Sequence, residues 1–296
     1  MSPFECVVAR DSAHAVALLI EHGASARVLA GGTDLLVELK SAHRGPRVII
    51  DLSQAQDLRH IALADDGLRL GALATHADII RSPLVRKCCP VLAEAAFTIG
   101  AVQTRNLGTL GGNLMTCVPS LDSGPGLVAL DARVILAGSS GRRELPLQEF
   151  FVGPRKTALA ADELLVEVLI PRASLGKPAA FFKFGLRKGQ ALALVNVAAA
   201  LHADRHTGVC REPRIALGAV APTVVRAVEA ERHLAGRPLD ARTIAEAAAL
   251  AVDAAKPIGD FRASAEYRRA LIQALTRRAL ERAHERACAT REELPA

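Results

Sequence analysis

Three features of the sequence predict an α+β fold. The first 52 residues follow a helix, strand, turn, helix, strand order. In the last third, strand-like segments lead and helical ones follow. Half of the 296 residues are apolar and 23% are charged, the balance of a globular chain rather than a disordered one. That length gives room for two domains or one large one.

The elements follow in chain order. Residues 12–22, SAHAVALLIEH, have helical spacing. Val16, Leu19 and Ile20 share a face, and Gly23 supplies a stop. Residues 28–30 read as a short buried strand and 35–40 as a short helix, capped by Thr33 or Asp34. Residues 48–52 form a second strand. A glycine turn therefore sits at the C-terminal end of a strand in a compact α/β unit.

Residues 68–72 alternate like a strand. Residues 75–81 and 84–97 look helical, the second stretch interrupted at Pro90. From Ile99 to Gly138 the chain is rich in Gly, Pro and small polar residues. Val, Leu, Ile and Met recur too evenly there for a linker, so the segment reads as ordered loop and turn. Residues 134–136 and 163–170 are strands, as are 180–186, 193–201 and 214–220. Helices are expected over 224–234, 241–254 and 264–287. No repeat of fixed period is present.

Composition excludes several functions. The net charge of +6 comes from 37 basic and 31 acidic residues. Arg268, Arg269, Arg277, Arg278, Arg282 and Arg286 concentrate much of it on the last helix, as a solvated face or a docking surface. With no Trp and one Tyr there is little to stack on bases, so nucleic acid is not an expected partner. No apolar run approaches the roughly 18–20 residues of a membrane span. The N-terminus lacks the basic and apolar regions of a signal peptide, and a cytoplasmic location is expected. The six cysteines are scattered without a CxxC pair, which favours reduced thiols over a metal site.

Two glycine turns carry the chemistry. Ala30-Gly31-Gly32-Thr33-Asp34 and Thr109-Leu110-Gly111-Gly112-Asn113 each join paired glycines to a hydroxyl and an Asx side chain. Glycine reaches positive φ cheaply, so successive amides can face one concavity. A helix starting just after would add partial positive charge. Thr33, Thr109 and Asn113 add side-chain donors. Singly, each reads as an ordinary turn; as a matched pair they suggest two loops gripping one diphosphate.

Rival motifs lack their context. Gly124-Pro125-Gly126-Leu127-Val128-Ala129 fits GxGxxA, but no strand precedes it. GxxxxGK[ST], GxSxG and HExxH are absent, and no histidines group into a triad or ligand set. No catalytic side chain and no metal ligand is expected.

The combination LAGGTDLL, QTRNLGTLGGNL and Asp122, nine residues after Asn113, resembles the FAD-binding medium subunit of the molybdenum hydroxylases, the xanthine and carbon monoxide dehydrogenase relatives. APTVVRAVEAERHLAG and FRASAEYRRAL resemble the last domain of that subunit. The resemblance spans nearly the whole chain. It implies a two-part PCMH-type FAD-binding domain, with subdomains at 1–55 and 56–173. A C-terminal domain of antiparallel sheet plus helices would follow at 174–296.

The function it implies is electron transfer. FAD would lie in this chain and exchange electrons between two [2Fe-2S] clusters on a small subunit and an external acceptor. A large molybdopterin-binding subunit would carry out the substrate chemistry, and the heterotrimer could pair into a dimer. Alternatives from other classes are a free-standing FAD- or NAD(P)-linked oxidoreductase and a non-redox nucleotide-binding scaffold.

Site residues follow from the same resemblance. Ala30 to Asp34 and Thr109 to Asn113 would hold the pyrophosphate through backbone amides, with Leu29, Leu35, Thr104 and Gly108 beside them. Asp122 would bind the adenosine end or order the second loop. Ile99 stands where some relatives have an aromatic ring, and Leu165 matches an apolar flavin contact. Lys183 matches a lysine near the flavin, with the loop 184–194 beside the ring. Some relatives carry a cysteine-rich insertion for a [4Fe-4S] cluster; here only Cys117 falls in that segment, so no such cluster is expected.

Overall fold

The computed structural model describes residues 3–42, 45–204 and 206–289. Strand β1 (Glu5–Val8) opens the chain, followed by helix α1 (Ser12–His22), β2 (Ala26–Leu29), α2 (Leu35–Ser41) and β3 (Val48–Asp51). The three strands form a parallel sheet in the order β1-β3-β2. Asp11 caps α1 by accepting from the His14 amide. Ala15, Val16, Leu18 and Leu19 face the core, whereas Ile20, expected on that face, is exposed. β1 escapes sequence reading because it is a mostly exposed edge strand of four residues.

The second sheet comprises β4 (Ile61–Ala64), β5 (Gly67–Gly71), β6 (Arg133–Gly138), β7 (Gly141–Pro146) and β10 (Leu164–Pro171). Its order is β4-β5-β10-β6-β7, antiparallel throughout. Between β5 and β6 run α3 (His76–Arg81), α4 (Pro83–Cys88), α5 (Pro90–Phe97), α6 (Val102–Leu107), α7 (Leu110–Thr116) and α8 (Ser123–Ala129). After β7 come the one-turn α9 (Leu147–Phe150) and a hairpin, β8 (Phe151–Gly153) with β9 (Lys156–Thr157). Central β10 is buried along nearly its whole length. One face shares a core cluster with Val16, Leu19 and Ile50 of the first unit; the other shares one with Val91, Leu92 and Leu127 from the helices. Coverage on both faces explains its continuous apolar sequence.

The stretch expected as loop and turn instead holds α6, α7 and α8. Each has six or seven residues, too short for a two-turn apolar pattern, and every residue of α8 is buried. The interruption expected at Pro90 is present: Pro90 opens α5 at its first position, and Pro83 opens α4 in the same way.

The third section has β11 (Ala179–Phe184), β12 (Val195–Ala203), β13 (Cys210–Gly218) and β14 (Val225–Arg226), antiparallel in chain order. Helices α10 (Val228–Leu234), α11 (Ala241–Leu250) and α12 (Ala265–Ala289) cover it. Residues 225–226, expected at a helix start, pair with β13 as an edge strand. Three of the α12 arginines are structural. Arg268 is buried against Leu194 O and Asp260, Arg278 lies over the Phe182 ring, and Arg286 reaches Glu94 and Ala179 O.

Candidate functional site

The loop of residues 30–34 leaves the C-terminal end of β2, the edge of a parallel sheet where ligands bind. Gly32 has φ +72°, and Gly31 packs so tightly that a Cβ would lie 1.9 Å from Leu107 O. Glycine is therefore required at one position by backbone conformation and at the other by close approach. Among the described residues, no acceptor meets the amides of Gly31, Gly32, Thr33 or Asp34. Unpaired amides at a protein surface are free to bind a ligand. Helix α2 has seven residues and Asp34 makes no side-chain cap, so the loop itself, more than a helix dipole, offers the donors.

The second loop differs. Leu110 N donates to Ala74 O and Gly111 N to Ala72 O, both at 2.9 Å. Gly112 N donates to Thr109 Oγ1 at 3.1 Å, and Asn113 N to Thr109 O at 3.0 Å. These amides fasten α7 to the segment after β5. What the loop offers a ligand is side chains: the Thr109 hydroxyl proton and Asn113 Nδ2, whose Oδ1 partner accepts from Ser123 Oγ at 2.6 Å.

Both loops line one cavity of about 470 Å³. Its wall brings together Ala30, Gly31, Gly32, Thr33, Asp34 and Leu35 from the first loop. Thr104, Gly108, Thr109, Gly111, Gly112 and Asn113 come from the second, with Ile99 and Leu165 as apolar wall. Such a volume falls in the range of small-molecule and cofactor sites. Free backbone donors beside apolar surface suit a dinucleotide, so the residues present fit FAD.

Three of the expected residues stand outside that wall. Leu29 lies behind Gly32, its Cδ1 3.1 Å from where a Cβ would sit. Asp122 and Lys183 form a buried pair, with Nζ 2.5 Å from Oδ2. Lys183 also donates to Thr98 O at 3.0 Å, and Asn196 Nδ2 donates to Asp122 Oδ1 at 2.8 Å. Burial pushes the Asp122 carboxyl above its usual range, against the pull of Lys183 and Asn196. Lys183 and Asn196 thus tie the C-terminal sheet to the start of α8, and Ser123, next in chain, holds Asn113.

Sequence reasoning missed other wall residues, including His76, Met115, Thr116, Arg155 and Leu159. For His76 a signal existed: Thr75 and Asp78 are spaced as a capping box, and both its hydrogen bonds are present at 3.0 Å. Among the described residues no three His, Cys, Asp or Glu side chains gather into a metal site. Cys117 Sγ is engaged by Gly153 O and Lys156 O. Among the described residues no helix is long and apolar enough to cross a membrane.

Comparison with known proteins gives this geometry its context. The family model described as "FAD binding domain in molybdopterin dehydrogenase" matches residues 2–173, and "CO dehydrogenase flavoprotein C-terminal domain" matches residues 180–283. The class is therefore a flavoprotein of the molybdopterin dehydrogenases. The 6-hydroxypseudooxynicotine dehydrogenase complex subunit alpha of Paenarthrobacter nicotinovorans is 34% identical, over 98% of each chain. The carbon monoxide dehydrogenase medium chain of Hydrogenophaga pseudoflava is 34% identical, over 95% of this chain and 96% of that one. Among solved structures, quinoline 2-oxidoreductase from Pseudomonas putida 86 superposes with a TM-score of 0.91 at 32% identity, covering 97% of this chain and 99% of that chain. The chain belongs to the FAD-binding medium subunits of the molybdenum hydroxylases.

Proposed function

We propose that this chain is the FAD-carrying electron-transfer subunit of a heterotrimeric molybdenum hydroxylase, working in the cytoplasm. The observation that carries the reading is the run of unpaired amides from Gly31 to Asp34 on the wall of the shared cavity, in a chain of this family. Bound FAD supplies reversible electron exchange, and the protein supplies binding, orientation and electrostatics. The partners are a molybdopterin-binding large subunit, where substrate reacts, and a small subunit with two [2Fe-2S] clusters.

In this reading the first loop holds the pyrophosphate by its backbone. The second loop adds the hydroxyl of Thr109 and the amide of Asn113, with Thr33 and Thr104 close by. Ile99 and Leu165 pack against the apolar parts of the cofactor. Asp122 orders the second loop, supported by the hydrogen bonds from Lys183 and Asn196 and by the Ser123–Asn113 contact. With its charge balanced by Asp122, Lys183 acts on the flavin as half of a neutral pair. Division at about residues 55 and 173 belongs to the same reading, supported by one main sheet per section.

Purification of the tagged chain from its native host tests the assembly. Two further subunits should accompany it, one containing molybdenum and one containing iron and sulfide. A flavin-bearing chain that arrives alone and turns over a small donor would instead identify a free-standing oxidoreductase.

A further inference from the structure

His76 is the first residue of α3 and lines the cavity, yet the resemblance assigns it nothing. Its backbone is fixed twice, by the capping box of Thr75 and Asp78 and by its own amide donating to Gly108 O at 3.1 Å. The side chain is 2% exposed, and Nδ1 is buried without a hydrogen-bond partner among the described residues. The other edge of the ring faces the meeting point of the two loops. His76 Cδ2 and Thr33 Oγ1 stand 3.4 and 3.6 Å from the position a Cβ on Gly108 would take. Nε2, bonded to Cδ2, is the polar ring atom on that edge.

A neutral imidazole carries one donor and one acceptor. Structures tolerate an unpaired buried acceptor better than an unpaired buried N–H. The proton accordingly belongs on Nε2, leaving a bare lone pair on sealed Nδ1. Burial, with the charge of Arg105 acting in the same direction, holds the ring neutral at physiological pH.

We propose that His76 is a cofactor-binding residue whose Nε2–H donates to an anionic oxygen of the bound diphosphate. This rests on the FAD reading above. It adds a side-chain donor between the two loops, where the first contributes amides and the second Thr109 and Asn113. A neutral donor supplies direction without another fixed charge, and Gly108 leaves its edge uncovered.

The test titrates the full-length apo chain with FAD and with ADP at neutral pH. A hydrogen bond to a charged group is worth enough that His76→Leu should weaken both by about tenfold or more. His76→Gln, which keeps an N–H near that position, should stay within about threefold of wild type by the same reasoning. Long-range proton–nitrogen correlation spectra of the wild-type chain should show the Nε2–H tautomer, its resonance shifting on ADP addition. Unchanged affinities in His76→Leu, or equal losses in both variants, would overturn the assignment. So would an Nδ1–H tautomer or a resonance indifferent to ADP, even if His76→Leu does not fold. A wild-type chain that binds neither ligand would instead remove the FAD reading itself.

Discussion

Replacing Gly31 by alanine drives a methyl group into the seam between the two loops. The new Cβ would lie 1.9 Å from Leu107 O, 2.6 Å from Leu107 C and 3.1 Å from Gly108 Cα. All three are backbone atoms, so no rotamer change relieves the contact. Restoring an ordinary separation of about 3.4 Å moves the loops apart by about 1.5 Å. Overpacking of this kind costs about 1–3 kcal/mol, and a backbone obstacle places it toward the upper end. Displaced donors matter as much for binding: losing one hydrogen bond to a charged group lowers affinity by about tenfold or more. Gly153→Ala is the control, because among the described residues nothing lies within 4 Å of its Cβ position. Chemical denaturation of the apo chain and FAD titration measure the two effects. Gly31→Ala indistinguishable from Gly153→Ala in both would refute the proposed seam.

Further expectations concern the buried pair, pH and the second loop. Lys183→Met leaves Asp122 buried opposite no cation and should cost about 3–5 kcal/mol; adding Asp122→Asn should recover much of it, and a single variant of wild-type stability would contradict the pairing. His76 falls from 6.5 in the unfolded chain to about 4 when folded, so between these values the unfolded state binds more protons and stability declines as pH falls. The shift corresponds to roughly 3 kcal/mol lost between pH 6.5 and pH 4, and His76→Gln should flatten that part of the apo chain's profile; an unaltered slope would remove His76 as the cause. Gly111→Val sets a Cβ 2.8 Å from both Ala72 Cβ and Ala72 O and should abolish FAD retention with far-ultraviolet circular dichroism preserved; stoichiometric flavin in the variant would count against the second loop.

What could be read from the sequence was mostly local. The strand before Gly31, the apolar run of β10 and the strands-then-helices order of the last section all have short-range signatures. The three short helices from Val102 to Ala129 did not, because each is too brief for periodicity and α8 is buried on every side. Paired glycines made the two loops look equivalent. They differ because Ala72 and Ala74, more than thirty residues upstream, accept the amides of Gly111 and Leu110, a tertiary arrangement without a sequence marker. The sequence does not mark Lys183 and Asp122 as partners, and only the fold brings β11 against the start of α8. The orphan nitrogen of His76 is likewise a property of packing.

The most direct test is the visible spectrum of the purified full-length chain, before and after dithionite. One FAD per chain, with an absorption band that bleaches on reduction, is the expected result. A chain that stays colourless after reconstitution with FAD, or one whose bound nucleotide shows no redox response, would contradict the account.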